Sequence, residues 1–205
     1  MSFGSTSLDH MLKMKRLPDD DWGLRGRATK GNKGDASIIV ENRCVPFAID
    51  SSSGTALLTN VTITANKATY GGGLAANPCV TLNNSIVAGN SALLFTNSGD
   101  IYGTVDPSSA YNLIGSGSGG LRNGDANNNI VGVSQIRLAP LGNYGGPTQT
   151  CPPKSGSPVI SAGSDDLAVD PWGNPLTNDQ RGFTRMDRDV DIGACQFSAS
   201  DRNLK

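Results

Sequence analysis

The feature that most narrows the possible folds is an internal repeat. GTALLTNVTITANKA (54–68) aligns with CVTLNNSIVAGNSA (79–92) at an offset of 24 residues. Leu58 then falls on Leu82, Asn60 on Asn84, Ile63 on Val87, Asn66 on Asn90 and Ala68 on Ala92. An offset in the twenties is the length of one solenoid coil. Inside the repeat, Val61 and Ile63 alternate with Thr62 and Thr64, the period of a half-buried strand. Such a strand cannot bury its inner face alone. Stacking an equivalent coil on it pairs the backbones in parallel and closes a shared core. Asn60, Asn66, Asn84 and Asn90 fall at strand ends, where side-chain amides can bond turn backbone and each other in ladders. The glycine run 71–73 supplies the sharp turn, where a positive φ costs nothing.

The pattern divides the chain. Residues 1–35 are polar and charged, with an acidic run at Asp19, Asp20 and Asp21, and read as a poorly structured or mis-assigned lead-in. Coils are expected over 36–137, beginning with the β-branched run ASIIVEN (36–42) and ending with short apolar strands at 101–105, 111–115 and 129–133. Over 138–197 the character changes. Pro140, Pro147, Pro152, Pro153 and Pro158 cannot donate to a sheet ladder, so this segment is expected to cap the stack, with 179–197 laid across the last coil as a lid. Residues 198–205 read as a polar tail.

Composition sets the outer limits. Aromatic residues are 5% of the chain, too few for a globule built on large anchors, and the formal net charge of −1 gives no field to hold nucleic acid. No apolar run reaches the ~20 residues that cross a bilayer. Lys13, Lys15 and Arg16 are not followed by an apolar stretch, so no signal peptide is read here. Cys44, Cys79, Cys151 and Cys195 lack CxxC spacing and His10 is the only histidine, which disfavours zinc. Two disulfides or four buried thiols both fit the count.

Few residue groups suggest chemistry. Asp187, Asp189 and Asp191 alternate, which on a strand would place three carboxylates on one face as a calcium candidate. Against an EF-hand loop, Ile192 stands where glycine is needed and Ser198 where glutamate is needed. Asp165 and Asp166 are adjacent, point apart on a strand, and read as solvated. GSGSGG (115–120) fits a dinucleotide fingerprint in form, but LRNGDANNN (121–129) offers no helix to follow it. No catalytic residue and no cofactor are expected.

Several segments together resemble a known family. LTNVTITANKA (58–68), TLNNSIVAGNSA (81–92), DIYGTV (100–105), YNLIG (111–115), PLGNYGGPTQT (140–150), GSPVISAG (156–163), DQRGF (179–183) and VDIGACQF (190–197) resemble, in order, bacterial β-helix proteins that end in a choice-of-anchor Q domain, relatives of the polymorphic outer-membrane proteins. The resemblance spans about 70% of the chain. It implies an all-β, right-handed parallel β-helix, secreted or held at the cell surface or outer membrane, non-catalytic, and adhesin-like or structural. It implies surface glycans or envelope components as partners, and a chain here shortened at its upstream end. Asp179 and Arg181, in the family's DQRG signature, are expected to pair and pin the cap. Gln196 departs from the family's acidic residue at that point. The alternative is a carbohydrate-active enzyme, pectate-lyase-like or a hydrolase, whose groove lies in further coils upstream. The two coils present offer Lys67 and no carboxylate for such a groove.

Overall fold

A strand only a few residues long is stable when neighbours saturate its backbone on both sides. The computed structural model is built this way. It describes residues 55–94, 97, 99–170, 172–185 and 189–204, together with strand segments at 29–30, 36–41, 44–45 and 49–50. Its strands, in order, are β1 (Thr29–Lys30), β2 (Ala36–Glu41), β3 (Cys44–Val45), β4 (Ile49–Asp50), β5 (Thr55–Thr59), β6 (Thr62–Ile63), β7 (Lys67–Ala68), β8 (Leu74–Ala76), β9 (Val80–Asn83), β10 (Ile86–Val87), β11 (Ser91–Ala92), β12 (Ile101–Gly103), β13 (Leu113–Ile114) and β14 (Ile130–Val131). Among the described residues, helix is limited to short 3-10 turns, including Asp165–Leu167 and Ala199–Asn203. The protein is all-β.

One sheet has the order β1-β2-β5-β9, a second β14-β13-β10-β6-β3, a third β12-β8-β4, and β7 pairs with β11. From β2 to β12 the chain returns to its larger sheets in the same order, first, second, third, and β13 and β14 then both join the second. Every pairing between strands is parallel except β1 with β2. The repeat sets the register: Leu58 faces Leu82, Ile63 faces Val87 and Ala68 faces Ala92. From the second sheet's β10 to β13 the spacing lengthens, with Val87 facing Ile114.

The bend between the first and second sheets has one backbone solution, used repeatedly. Asn60, Asn84, Tyr111 and Asn128 all adopt the left-handed conformation, with φ of 51°, 47°, 56° and 56°. Asparagine tolerates this region better than most residues, which explains three of the four. The run 71–73 is used differently from the expectation of free positive φ. Only Gly71 has one, at 50°. A Cβ on Gly72 would sit 2.3 Å from the Ser91 carbonyl oxygen, so that glycine gives neighbouring turns room to approach.

Inward side chains from all three larger sheets meet in one cluster, including Leu58 and Leu82, Ile63 and Val87, and Leu74 and Ile101. The expected alternation on β6 fails in one respect. Thr62 is 2% exposed, as buried as a core residue. A second apolar cluster explains this: Ile86, Ala88 and Leu113 point outward from the second sheet and pack with Val159 and Ile192 of the C-terminal region. The second sheet is therefore covered on both faces.

The expected lid over the last coil is also relocated. Residues 190–194 approach β6 and β10 from the side: the Gly193 amide donates to the Asn84 carbonyl at 2.7 Å and the Ala194 amide to Thr62 Oγ1 at 3.0 Å. The stack's end at β14 is treated locally. The Val131 amide is taken by Asn123 Oδ1 at 3.0 Å, so a side chain occupies the edge where another strand would bond.

Ile63 is fully buried among the stacked strands. Ile63→Asp is expected to cost several kcal/mol, comparable with the stability of a small domain. Thermal melts followed by far-UV circular dichroism should show the variant unfolded or sharply destabilised; an unchanged midpoint would refute the inward placement.

Candidate functional site

The polar residues of the repeat form two distinct systems. At the outer corner, Asn84 Nδ2 lies 3.5 Å from Asn60 Oδ1, and both side chains reach the C-terminal region. Asn60 Nδ2 donates to the Asp191 carbonyl at 3.3 Å, while Asn84 exchanges two bonds with Ser164, each 2.8 Å. The buried Asn60 is thus a clamp. Further along each coil, Asn90 Oδ1 accepts from both the amide and the side chain of Asn66, each at 3.0 Å. Asn90 in turn donates to Asp100, whose second oxygen accepts from the Ser116 amide and hydroxyl.

A third ladder was not evident from the repeat. Val61 donates to Ser85 Oγ, Ser85 to Asn112 Oδ1, and Asn112 to Asn129 Oδ1, each through its backbone amide. Ser85, Asn112 and Asn129 are all buried. The signal was hidden because the coil lengthens between Ser85 and Asn112, and a fixed offset of 24 passes over the match.

The C-terminal segment is organised around Arg181, whose side chain is fully buried. Its Nε donates to Asp179 Oδ2 at 3.0 Å, Nη1 to Asp201 Oδ1 at 2.9 Å, and Nη2 to Asp201 Oδ2 at 3.2 Å and to the Gln196 carbonyl. The Phe183 ring lies under the guanidinium at 4.4 Å. Burial opposes the charge, but the carboxylates outweigh it and hold the guanidinium pKa above its ordinary value. Asp179 also accepts the amides of Arg181, Phe183 and Gln196, which closes the DQRG turn. Asp201, read from sequence as part of a polar tail, is 2% exposed and completes a fork-to-fork pair. Ser198 and Asp201 form a capping box on the last 3-10 turn, the one local sequence sign that this tail is ordered.

Of the three calcium candidates, Asp189 and Asp191 do not share a strand face. Asp187 lies outside the described residues. The segment 189–191 is not a strand; Asp189 is exposed and Asp191 is fully buried. Asp191 Oδ1 accepts the Ser161 amide and Oδ2 the Phe197 amide, and burial pushes its carboxyl above the usual range. Among the described residues, no group of three His, Cys, Asp or Glu stands close enough to hold a metal ion. Gln196 has a use that an acid at this position would not serve: Oε1 accepts from the Asp191 amide while Nε2 donates to the Asp189 carbonyl. Asp165 and Asp166 lie exposed on a 3-10 turn.

Cys79 is exposed, and Cys151 and Cys195 are buried. Burial pushes the Cys195 thiol up to about 12.

Asp201→Asn removes one charge from a buried pair and is expected to destabilise the fold by about 3 kcal/mol. Urea titrations of the parent, the variant and a chain ending at Phe197 should place both altered proteins well below the parent; equal midpoints would make the tail dispensable. Iodoacetamide at mildly alkaline pH should alkylate Cys79 in the native protein and spare Cys151 and Cys195 until denaturant is added, as read by peptide mass spectrometry.

Compared with protein-family models, with curated proteins and with solved structures, the chain matches none.

Proposed function

We propose that the stacked strands form a right-handed parallel β-helix and that this solenoid serves at the cell surface or outside the cell as a non-catalytic, adhesin-like or spacing protein. The repeated order of sheets from β2 to β12 and the cluster where their side chains meet support the solenoid. The hand follows from the strong general preference of parallel crossovers. The resemblance of 54–197 to choice-of-anchor Q proteins supports the location, and surface glycans or envelope components are the partners it suggests.

The observation that carries the non-catalytic reading is how the buried acids are used. Asp100, Asp179, Asp191 and Asp201 each accept hydrogen bonds on both carboxylate oxygens, from backbone amides, hydroxyls, amide side chains or Arg181. General acid–base work needs a carboxyl within reach of substrate, whereas these four hold turns in place.

Two measurements test the proposal. A crystal structure should trace closed right-handed coils; an open sandwich of sheets would reject the solenoid. Incubation with pectin, polygalacturonate, alginate and neutral glucans should release no reducing ends or unsaturated sugars above a buffer blank. Turnover abolished by a substitution at a single carboxylate would reject the non-catalytic reading.

A further inference from the structure

The C-terminal region builds one cavity with an unusual charge pattern. It is about 340 Å³ in volume and lies where the turn after β6, Thr64–Ala65, meets residues 134–141 and 151–154. Ala139 and Cys151, both buried, are among its lining residues. Arg137 and Lys154 line it, and no carboxylate does.

These two cations are cross-strand neighbours. Leu138 and Pro153 form an antiparallel bridge, and the Lys154 amide donates to the Arg137 carbonyl at 2.8 Å, so residues 137 and 154 stand opposite one another. Like charges directly opposite in an antiparallel pair are destabilising. Neither residue forms an ion pair among the described residues. Arg137 is also held in the left-handed region, at φ 52°, which is costly for a long side chain. Strain of this kind concentrates at ligand clamps. Its Nη1 donates to the Gly156 carbonyl at 3.3 Å, which orients the guanidinium.

The remaining lining has two characters. Thr64, Ser134 and Gln135 bring hydroxyl and amide groups, whereas Ile136, Leu138 and Leu141 bring apolar surface. A carboxylate-bearing sugar matches all three features: its acid group meets the cation pair, its hydroxyls meet the polar side chains, and its C–H face meets the aliphatic ones. The volume lies at the lower end of small-molecule sites, suited to a sugar unit.

We propose that this cavity binds a uronate residue of an acidic polysaccharide, with Arg137 and Lys154 receiving its carboxylate. The inference rests on the surface-protein reading and gives that reading a ligand class. The bound anion removes the repulsion between the two cations, so ligand should stabilise the fold as well as occupy it.

Isothermal titration of the full chain with galacturonate, with galactose and with inorganic sulfate tests the idea. Galacturonate is expected to bind saturably, and galactose and sulfate about tenfold or more weakly. Arg137→Asn, which suits the left-handed backbone, and Lys154→Gln should each weaken galacturonate about tenfold, the loss of one charge-assisted contact, while Lys67→Gln should not. Without ligand, Lys154→Gln should melt about 1–3 °C above the parent at low salt, because one like charge is gone; this readout also confirms that the variant folds. Equal binding of galactose, equal binding of sulfate, or no binding of galacturonate each overturns the proposal. Failure to bind uronate leaves the non-catalytic surface reading standing. Cleavage of a polyuronate would remove that reading and leave the site.

Discussion

The pairing of β6 with β10 fixes the positions on which the rest of the molecule depends. Two-residue strands contribute few hydrogen bonds, and their order comes from neighbours above and below. Once Ile63 lies opposite Val87, the left-handed corners at Asn60 and Asn84 are superposed, and their side chains point the same way. A shift of one residue would turn Ile63 outward and Thr62 inward. It would also separate Asn66 from Asn90 and break the ladder that continues to Asp100.

The same register prepares the outer face that the C-terminal region covers. Ile86 and Leu113 point away from the main core and would be wet without Val159 and Ile192. The approach is close: a Cβ on Gly193 would come within 2.6 Å of Ile86 Cδ1 and 2.7 Å of Thr62 Oγ1. Glycine at that position, with φ 101°, satisfies both the space and the backbone. Arg181 then holds the segment from behind, with its three donor nitrogens directed at Asp179, Asp201 and the Gln196 carbonyl. A fully buried guanidinium is tolerated because its positive charge meets two acids and its donors are occupied. The parallel sheets and the C-terminal region thus share a second core and a set of polar clamps.

Much of this was legible in particular residues. Leu58 with Leu82 and Asn66 with Asn90 marked the repeat, and their spacing alone implied parallel pairing. The Asp179–Arg181 pair was readable from its local sequence. Asp201 was not, because 20 residues separate it from Arg181 and its neighbours are small and polar. Ser85, Asn112 and Asn129 escaped for another reason: the coil changes length, so their equivalence exists in space and not at a constant offset. The alternation of Asp187, Asp189 and Asp191 suggested a strand face, whereas the backbone at 189–191 is not a strand and buries Asp191 while exposing Asp189.

Sequence by itself determined the all-β character, the parallel stacking and the register between the two repeated segments, because a side-chain period of two and a 24-residue repeat are local properties written into consecutive residues. Tertiary structure alone decided where the proline-containing region goes, which carboxylates meet Arg181, and that Arg137 and Lys154 stand side by side at one cavity. Those outcomes depend on contacts between residues far apart in the chain, such as Asn60 with Asp191, separated by 131 positions. No periodicity carries that information. It arises when burial of the outer sheet face and satisfaction of buried donors select one arrangement from many compatible with the same local pattern.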